Sequence, residues 1–384
     1  MMKKIGHETL FLPTEENNPR NGESTFARLT DGRLLFAYTQ YVDTDWSDHA
    51  DARICGCWSS DEGESWTQPV VLIERDPAAQ NIMSPTVFLM PNGQLGIVYL
   101  RKDVTQEGFV TCMPVFSASD DNGRTWSKAV YCTTETGYYC VINDGCIIDR
   151  TGRIWVPMSM HGESYDAFGH TGYKGVKYNG GVVRFAVSDD NGKTWSTLPA
   201  VIESPYCDTV GFAEPGIYEY EDGKLWMYCR TAYGFQYQSF STDRGETWSK
   251  PEPNFCFTSP DAPMRVKRVG AYTAAVFNPL GFSAMHRAVE AWNSPKRTPL
   301  VCAISRDDGR SFDTTGRTPA NGHLNAFADA CYFIEDDQTD SYCYPSVIET
   351  VDGFLVSYYH SNGTPVCLNS SRITKVYLSE IEER

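Results

Sequence analysis

"SSDEGESW" at residues 59–66 reads as a polar turn ending in a tryptophan, yet nearly the same phrase returns four more times. "SDDNGRTW" begins at Ser119, "SDDNGKTW" at Ser188, "STDRGETW" at Ser241 and "SRDDGRSF" at Ser305. The shared pattern is S-x-D-x-G-x-T/S-W/F. Recurrence at intervals of tens of residues signals an architecture of equivalent units, and it outranks any local reading.

A second repeat runs in phase with the first. Short turns leading into apolar strands occur at "DGRLLFAYTQ" (Gly32), "NGQLGIVYLR" (Gly93), "TGRIWVPMSM" (Gly152), "DGKLWMYCRT" (Gly223) and "DGFLVSYYHS" (Gly353). Asp-Gly or Asn-Gly between such runs is a strong hairpin signal. The step from Gly223 to Gly353 is 130 residues, so a weaker sixth hairpin is placed at Gly281 in "AVFNPLGFSAMHR". Dividing 384 residues by six gives units of 64, each with room for four short strands. The expectation is an all-β fold, a six-bladed β-propeller of four-stranded antiparallel blades. "RITKVYLSEI" near the C-terminus is expected to close the ring. No Pro/Gly-rich linker divides the chain, so residues 1–384 read as a single propeller domain. The absence of long 3.6-period stretches excludes a Rossmann fold or an α/β barrel.

Within each unit, strand A precedes the hairpin glycine, strand B follows it, and the S-x-D-x-G turn joins C to D. The Ser and Asp side chains bond the turn's own backbone, and Gly permits positive φ. The aromatic anchors the turn on the sheet. Asp61, Asp121, Asp190, Asp243 and Asp307 are therefore structural and drop out as catalytic candidates.

Composition narrows the function. A hydrophobic content of 41% argues for a folded globule, and no run is long enough to span a bilayer. The start of the sequence has no apolar segment of the signal-peptide kind, so a cytoplasmic location is expected. The 13 cysteines read as reduced core residues, and Cys55 and Cys57 lack a second pair at zinc-ligand spacing. A net charge of −16 disfavours nucleic acid and obliges any anion site to rely on local arginines.

The repeated phrase is similar to the Asp-box of the sialidase (neuraminidase) superfamily, and the resemblance covers essentially the whole chain. The fold alone does not fix an activity, so the site must. Asp-box turns and A–B hairpins share one face of the ring, and the site falls on the other. "SDHAD", containing Asp48, resembles the sialidase "SDxGD" segment, whose first Asp is the general acid/base; Asp43, Asp45 and Asp51 are neighbouring alternatives. Glu214 in "GFAEPGIYEYEDG", with Arg230 at the end of strand B, resembles the segment that supplies a catalytic Glu and a carboxylate-binding Arg. Arg297, with Lys296 and Arg287 as substitutes, looks like the third sialidase arginine. Tyr344 occupies the slot of the nucleophilic tyrosine, nine residues before Gly353, with Pro345 replacing the usual Ser and Tyr342 close by. The "(F/Y)RIP" motif of the first arginine is missing. Arg20, 12 residues before Gly32, is the best substitute ahead of Arg28 and Arg33. Arg101, Asp144 and His161 are further substrate-binding candidates on the same face, with Asn81, Asn143, Tyr233 and His360 as possible pocket-shaping residues.

The resemblance implies a retaining exo-α-sialidase, acting on a sialoside or another 2-keto-3-deoxy sugar acid. A neutral tyrosine would avoid the repulsion between a carboxylate nucleophile and the sugar's own carboxylate. Glu214 would withdraw the tyrosine proton, and arginines would pair with the sugar acid. No metal or organic cofactor, nucleic acid or membrane is called for. Two other readings stay open: a glycosidase or polysaccharide lyase acting on uronate-containing glycans through His161 or His360 and a tyrosine, and a non-catalytic binder of acidic glycans.

Overall fold

The computed structural model describes residues 3–162, 164–165, 171–173, 176–177, 180–206, 210–279, 297–312, 331–337, 339–363 and 368–382. Six antiparallel sheets form a six-bladed β-propeller. Blade 1 runs Asn21–Arg28, Leu34–Tyr41, Ala52–Ser59 and Val70–Ile73 as strands A to D. Blade 2 runs Asn81–Leu89, Leu95–Val104, Val110–Ser119 and Val130–Tyr131. Blade 3 has Ile147–Ile148, Ile154–Met160, Val182–Ser188 and Ser196–Thr197, with Tyr139–Cys140 as an added strand. Blade 4 has Ala213–Glu219, Leu225–Arg230, Phe235–Ser241 and Glu252–Thr258. Blade 5 has Arg265–Val269, Tyr272–Phe277, Leu300–Ser305 and Tyr332–Glu335. Blade 6 has Tyr342–Glu349, Gly353–His360 and Ser370–Tyr377, completed on its outer side by His7–Leu12.

Two sequence expectations need correction. The fifth A–B hairpin turns at Gly270-Ala271, between Val269 and Tyr272, and not at Gly281. It was hidden because it carries Val-Gly where the other blades carry a polar residue before Gly; Gly281 itself lies outside the described residues. Ring closure also differs. "RITKVY" lies inside strand C of blade 6, and the closing outer strand is His7–Leu12, paired antiparallel from His7↔Lys375 to Leu12↔Ser371.

The hydrophobic core is six wedges, one between each pair of neighbouring blades. Strand alternation sends successive residues into opposite wedges. In blade 1, Leu35 and Ala37 face blade 2 while Leu34, Phe36 and Tyr38 face blade 6. In blade 4, Leu225, Met227 and Cys229 face blade 3 while Trp226 and Tyr228 face blade 5. Both faces of strand B are buried, which explains its near-continuous apolar runs. The described cysteines are free and mostly buried in these wedges.

The repeated turns lock the wedges from one side. Ser59 Oγ donates to Asp61 Oδ1 at 2.8 Å and accepts from Gly63 N at 2.8 Å, while Asp61 accepts from Ser65 N at 2.9 Å. Equivalent bonds recur at Asp121, Asp190, Asp243 and Asp307. Each turn's glycine abuts the preceding blade: Gly63 faces Leu355, Gly123 Leu35, Gly192 Phe116, Gly245 Trp155 and Gly309 Tyr218. The motif thus staples neighbouring blades together, and its aspartates are spent on the turn.

Candidate functional site

At the opposite face, strand A begins in the same unusual way in five blades. Glu23, Ser84, Asp144, Glu214 and Tyr344 are non-glycine residues with φ of 49°, 55°, 55°, 46° and 55°. In blades 1, 2, 4 and 6 this residue falls in a register shift of the A–B pairing. A left-handed bulge re-aims a side chain out of the ladder, at a backbone cost of order 1–3 kcal/mol. Here it turns Glu23, Glu214 and Tyr344 toward the ring's axis.

Glu214 and Tyr344 meet there. The Tyr344 hydroxyl donates to Glu214 Oε1 at 2.6 Å, and Arg230 Nη1 donates to Glu214 Oε2 at 2.8 Å and to the Tyr344 hydroxyl at 3.0 Å. Arg230 Nε is held by Asp261 Oδ1 at 2.7 Å. The Arg297 guanidinium lies 5.6 Å from the Tyr344 ring centroid and donates through Nη2 to the Asp261 carbonyl at 2.9 Å. Burial and the neighbouring Glu214 push the Tyr344 phenol well above its ordinary range, against the pull of Arg230 and Arg297. The phenol is therefore neutral at rest, with a carboxylate in line to take its proton.

A second cluster adjoins the first. Arg20 donates through Nε to the Tyr359 hydroxyl at 2.8 Å, through Nη1 to Asp48 Oδ1 at 2.5 Å and through Nη2 to Glu23 Oε1 at 2.6 Å. Glu23 also accepts from the Ser84 hydroxyl. Tyr359 joins the clusters, since its ring packs edge-on against Tyr344 at 5.8 Å. Partial desolvation by its neighbours would raise Asp48, but Arg20 and Lys102 outweigh it and hold this half-exposed carboxylate well below the usual range. The loop bearing Asp48 is pinned by Lys102 Nζ on the Asp48 carbonyl and by Asn81 Nδ2 on the Ala50 carbonyl.

Two of the other loop acids are occupied elsewhere: Asp45 accepts from Ser47 N at 2.8 Å, and Asp51 pairs with Arg75 at 2.5 Å. His161 sits beside Glu214, and the Ser159 hydroxyl bridges them, contacting His161 Nε2 at 3.0 Å and accepting from Glu214 N at 3.3 Å. Burial, with Arg230 opposed by Glu214, pushes His161 down to about 4.

Three expected substrate-binding residues are placed differently. Arg101 pairs with Asp76 and Asp103 at 2.9 Å each, because alternation turns its neighbour Lys102 toward Asp48. Asp144 is buried beneath the clusters, where it accepts from Lys267 Nζ at 3.1 Å and Val347 N at 3.3 Å. Arg20 reaches the axis, but its side chain is only 1% exposed and its donors go to protein groups. Among the pocket-shaping candidates, Asn143 lies below, donating to the carbonyls of Ser24 and Tyr344. His360 pairs with Asp340 at 2.6 Å and stacks on Tyr342, and Tyr233 contacts Ser204 at 2.8 Å. Lys296 and Arg287 lie outside the described residues. Glu23, Lys102, Asp261 and Tyr359 are site residues that sequence reasoning missed. Glu23 alone had a signal, the nine-residue spacing to Gly32 that Glu214 and Tyr344 show to Gly223 and Gly353.

Comparison with known proteins agrees with this architecture. A sialidase from Clostridium perfringens is 25% identical over 274 residues, an alignment covering 64% of this chain and 66% of that protein. The chain thus spans just under two thirds of that relative's length. A crystal structure from Dyadobacter fermentans superposes with a TM-score of 0.69 at 15% identity, covering 97% of this chain and 98% of that one. Trypanosoma rangeli sialidase in complex with sialic acid superposes with a TM-score of 0.62 at 14% identity, covering 100% of this chain and 59% of that one. The sequence pattern of the BNR repeat-like domain matches residues 32–356, from the first hairpin glycine to the last blade, and the chain belongs to that family.

Proposed function

We propose that the protein is a glycoside hydrolase of the sialidase type, releasing a terminal sialic acid or a related 2-keto-3-deoxy sugar acid from a glycan. The observation that carries this reading is the Glu214–Tyr344–Arg230 triangle, with all three contacts at 3.0 Å or less. A phenol bonded to a carboxylate that can take its proton, with a guanidinium on the same oxygen to stabilise the phenolate, is an activated nucleophile. It suits a substrate whose anomeric carbon bears a carboxylate, where an anionic nucleophile would be repelled.

In this reading Tyr344 attacks the anomeric carbon, and its proton passes to Glu214. Arg230 and Arg297 pair with the sugar's carboxylate. Asp48 protonates the departing glycosidic oxygen, then takes a proton from the water that releases the sugar with retained configuration. Hydrolysis of a fluorogenic N-acetylneuraminic acid glycoside tests the activity. A 2,3-difluorinated sialic acid tests the nucleophile, since the expected adduct is a mass increment on the peptide containing Tyr344. Absence of turnover, or label on another residue, overturns the reading. An ultraviolet-absorbing unsaturated uronate released from a uronate-containing glycan identifies a lyase instead.

A further inference from the structure

The bulge that presents Glu214 and Tyr344 presents one more carboxylate at the axis, Glu23, to which the mechanism above gives no task. Its surroundings define one. Glu23 is 3% exposed and bridges Arg20 Nη2 and the Ser84 hydroxyl. Arg20 has its remaining contacts with the Tyr359 hydroxyl, the Trp46 carbonyl at 3.2 Å and Asp48 Oδ1, and its guanidinium lies over the Tyr41 ring at 4.4 Å. A ligand's carboxylate has no access to a guanidinium so enclosed. Asp48, on the open side of the same guanidinium, is 56% exposed.

We propose that Glu23 is a positioning residue that clamps Arg20 as the holder of Asp48, so that Arg20 aims the acid–base carboxylate instead of binding the substrate's. The carboxylate of a ligand then falls to Arg230 and Arg297. Glu23 also tunes the carboxylate it aims. Burial, with repulsion from Asp48 and Glu214, raises Glu23 against the pull of Arg20, and because repulsion between two carboxylates is mutual, a charged Glu23 favours the protonated form of Asp48. The kinetic consequences rest on the sialidase-type reading; the clamp itself does not.

Two variants test the proposal. E23N suits the left-handed backbone but is one methylene too short for the clamp. Its crystal structure is expected to show the Arg20 guanidinium displaced from Asp48; an unchanged Arg20–Asp48 pair overturns the clamp. E23Q keeps shape and acceptor while removing charge. On a fluorogenic sialoside its basic limb of kcat is expected to move down by about one pH unit, with KM within about twofold. A KM raised about tenfold with the limb unmoved would put Arg20 on the substrate and overturn the proposal. Should the unaltered protein cleave no sialoside, the functional reading fails, and the E23N structure alone decides the clamp.

Discussion

The Tyr344 hydroxyl and Glu214 Oε1 lie 2.6 Å apart although 130 residues separate them in the chain. Each stands at the bulge that opens strand A of its own blade, so a shared backbone device, repeated two blades apart, sets their distance. Removing the hydroxyl in Tyr344→Phe keeps the ring packed on Tyr359 but deletes the proposed nucleophile. Sialoside turnover is expected to fall by about a thousandfold or more, with the melting temperature little changed. Glu214→Gln leaves the phenol bonded but without a base, and a comparable loss is expected. Single-turnover kinetics beside thermal unfolding checks both; full activity in either variant contradicts the assigned roles.

Asp48 must be protonated to act as an acid, yet Arg20 and Lys102 favour its ionised form. Catalysis through it therefore strengthens as pH falls, and kcat/KM is expected to rise from neutral into the acid range. Lys102→Met removes one of the cations responsible. The sign follows directly: Asp48 binds its proton more tightly, so the basic limb moves to higher pH, by about one unit. Asp48→Asn abolishes the limb and costs about 10²–10⁴ in rate. Rate profiles across pH for the three proteins check this, and a limb that stays put in Lys102→Met removes Lys102 from the account.

Glycine and alternation made the architecture legible, because hairpins and motif turns are local and repeat. Glu214 and Tyr344 each stand nine residues before a hairpin glycine, so the same repeat locates both in the chain, whereas Glu214 and Arg230 were singled out only through resemblance to a sialidase segment. Strand alternation gives two classes of residue without saying which class faces the axis, so it could not show that Lys102, and not the expected Arg101, reaches Asp48. Asp144 shares the bulge but stands eight residues before its glycine rather than nine, and its carboxylate bonds deeper, to Lys267 and Val347. Asp261 lies in the link between blades 4 and 5, where no periodicity operates; only the folded ring brings it to Arg230.

The turn glycines make a prediction about stability. A Cβ on Gly192 would lie 2.2 Å from the Phe116 ring, whereas one on Gly93 would meet nothing within 4 Å. Both have φ near +80°, at 79° and 84°, so backbone strain is common to the two substitutions. Gly192→Ala adds overpacking between blades and is expected to cost about 1–3 kcal/mol beyond Gly93→Ala. Denaturant midpoints of the two variants check the difference, and equal midpoints would mean the blade contact yields without cost.

Ring closure carries a pH dependence of its own. Glu335, at the outer strand of blade 5, accepts from Lys4 Nζ at 2.9 Å, the Tyr358 hydroxyl at 2.7 Å and Arg372 Nη1 at 2.6 Å. It thereby ties the chain leading into the closing strand to blades 5 and 6. Burial opposes its charge, but these three donors prevail and hold Glu335 below its ordinary value of 4.5. A carboxylate lowered in the folded state stabilises above its unfolded pKa and loses that contribution as pH falls through the folded one. Glu335→Gln is thus expected to cost about 2 kcal/mol at neutral pH. The gap to the unaltered protein should narrow as pH drops below 4.5, where the native carboxylate also begins to take up its proton. Unfolding curves at neutral and acid pH check it; a gap independent of pH would assign the loss to packing around Tyr358, and the ionised staple would not be what closes the ring.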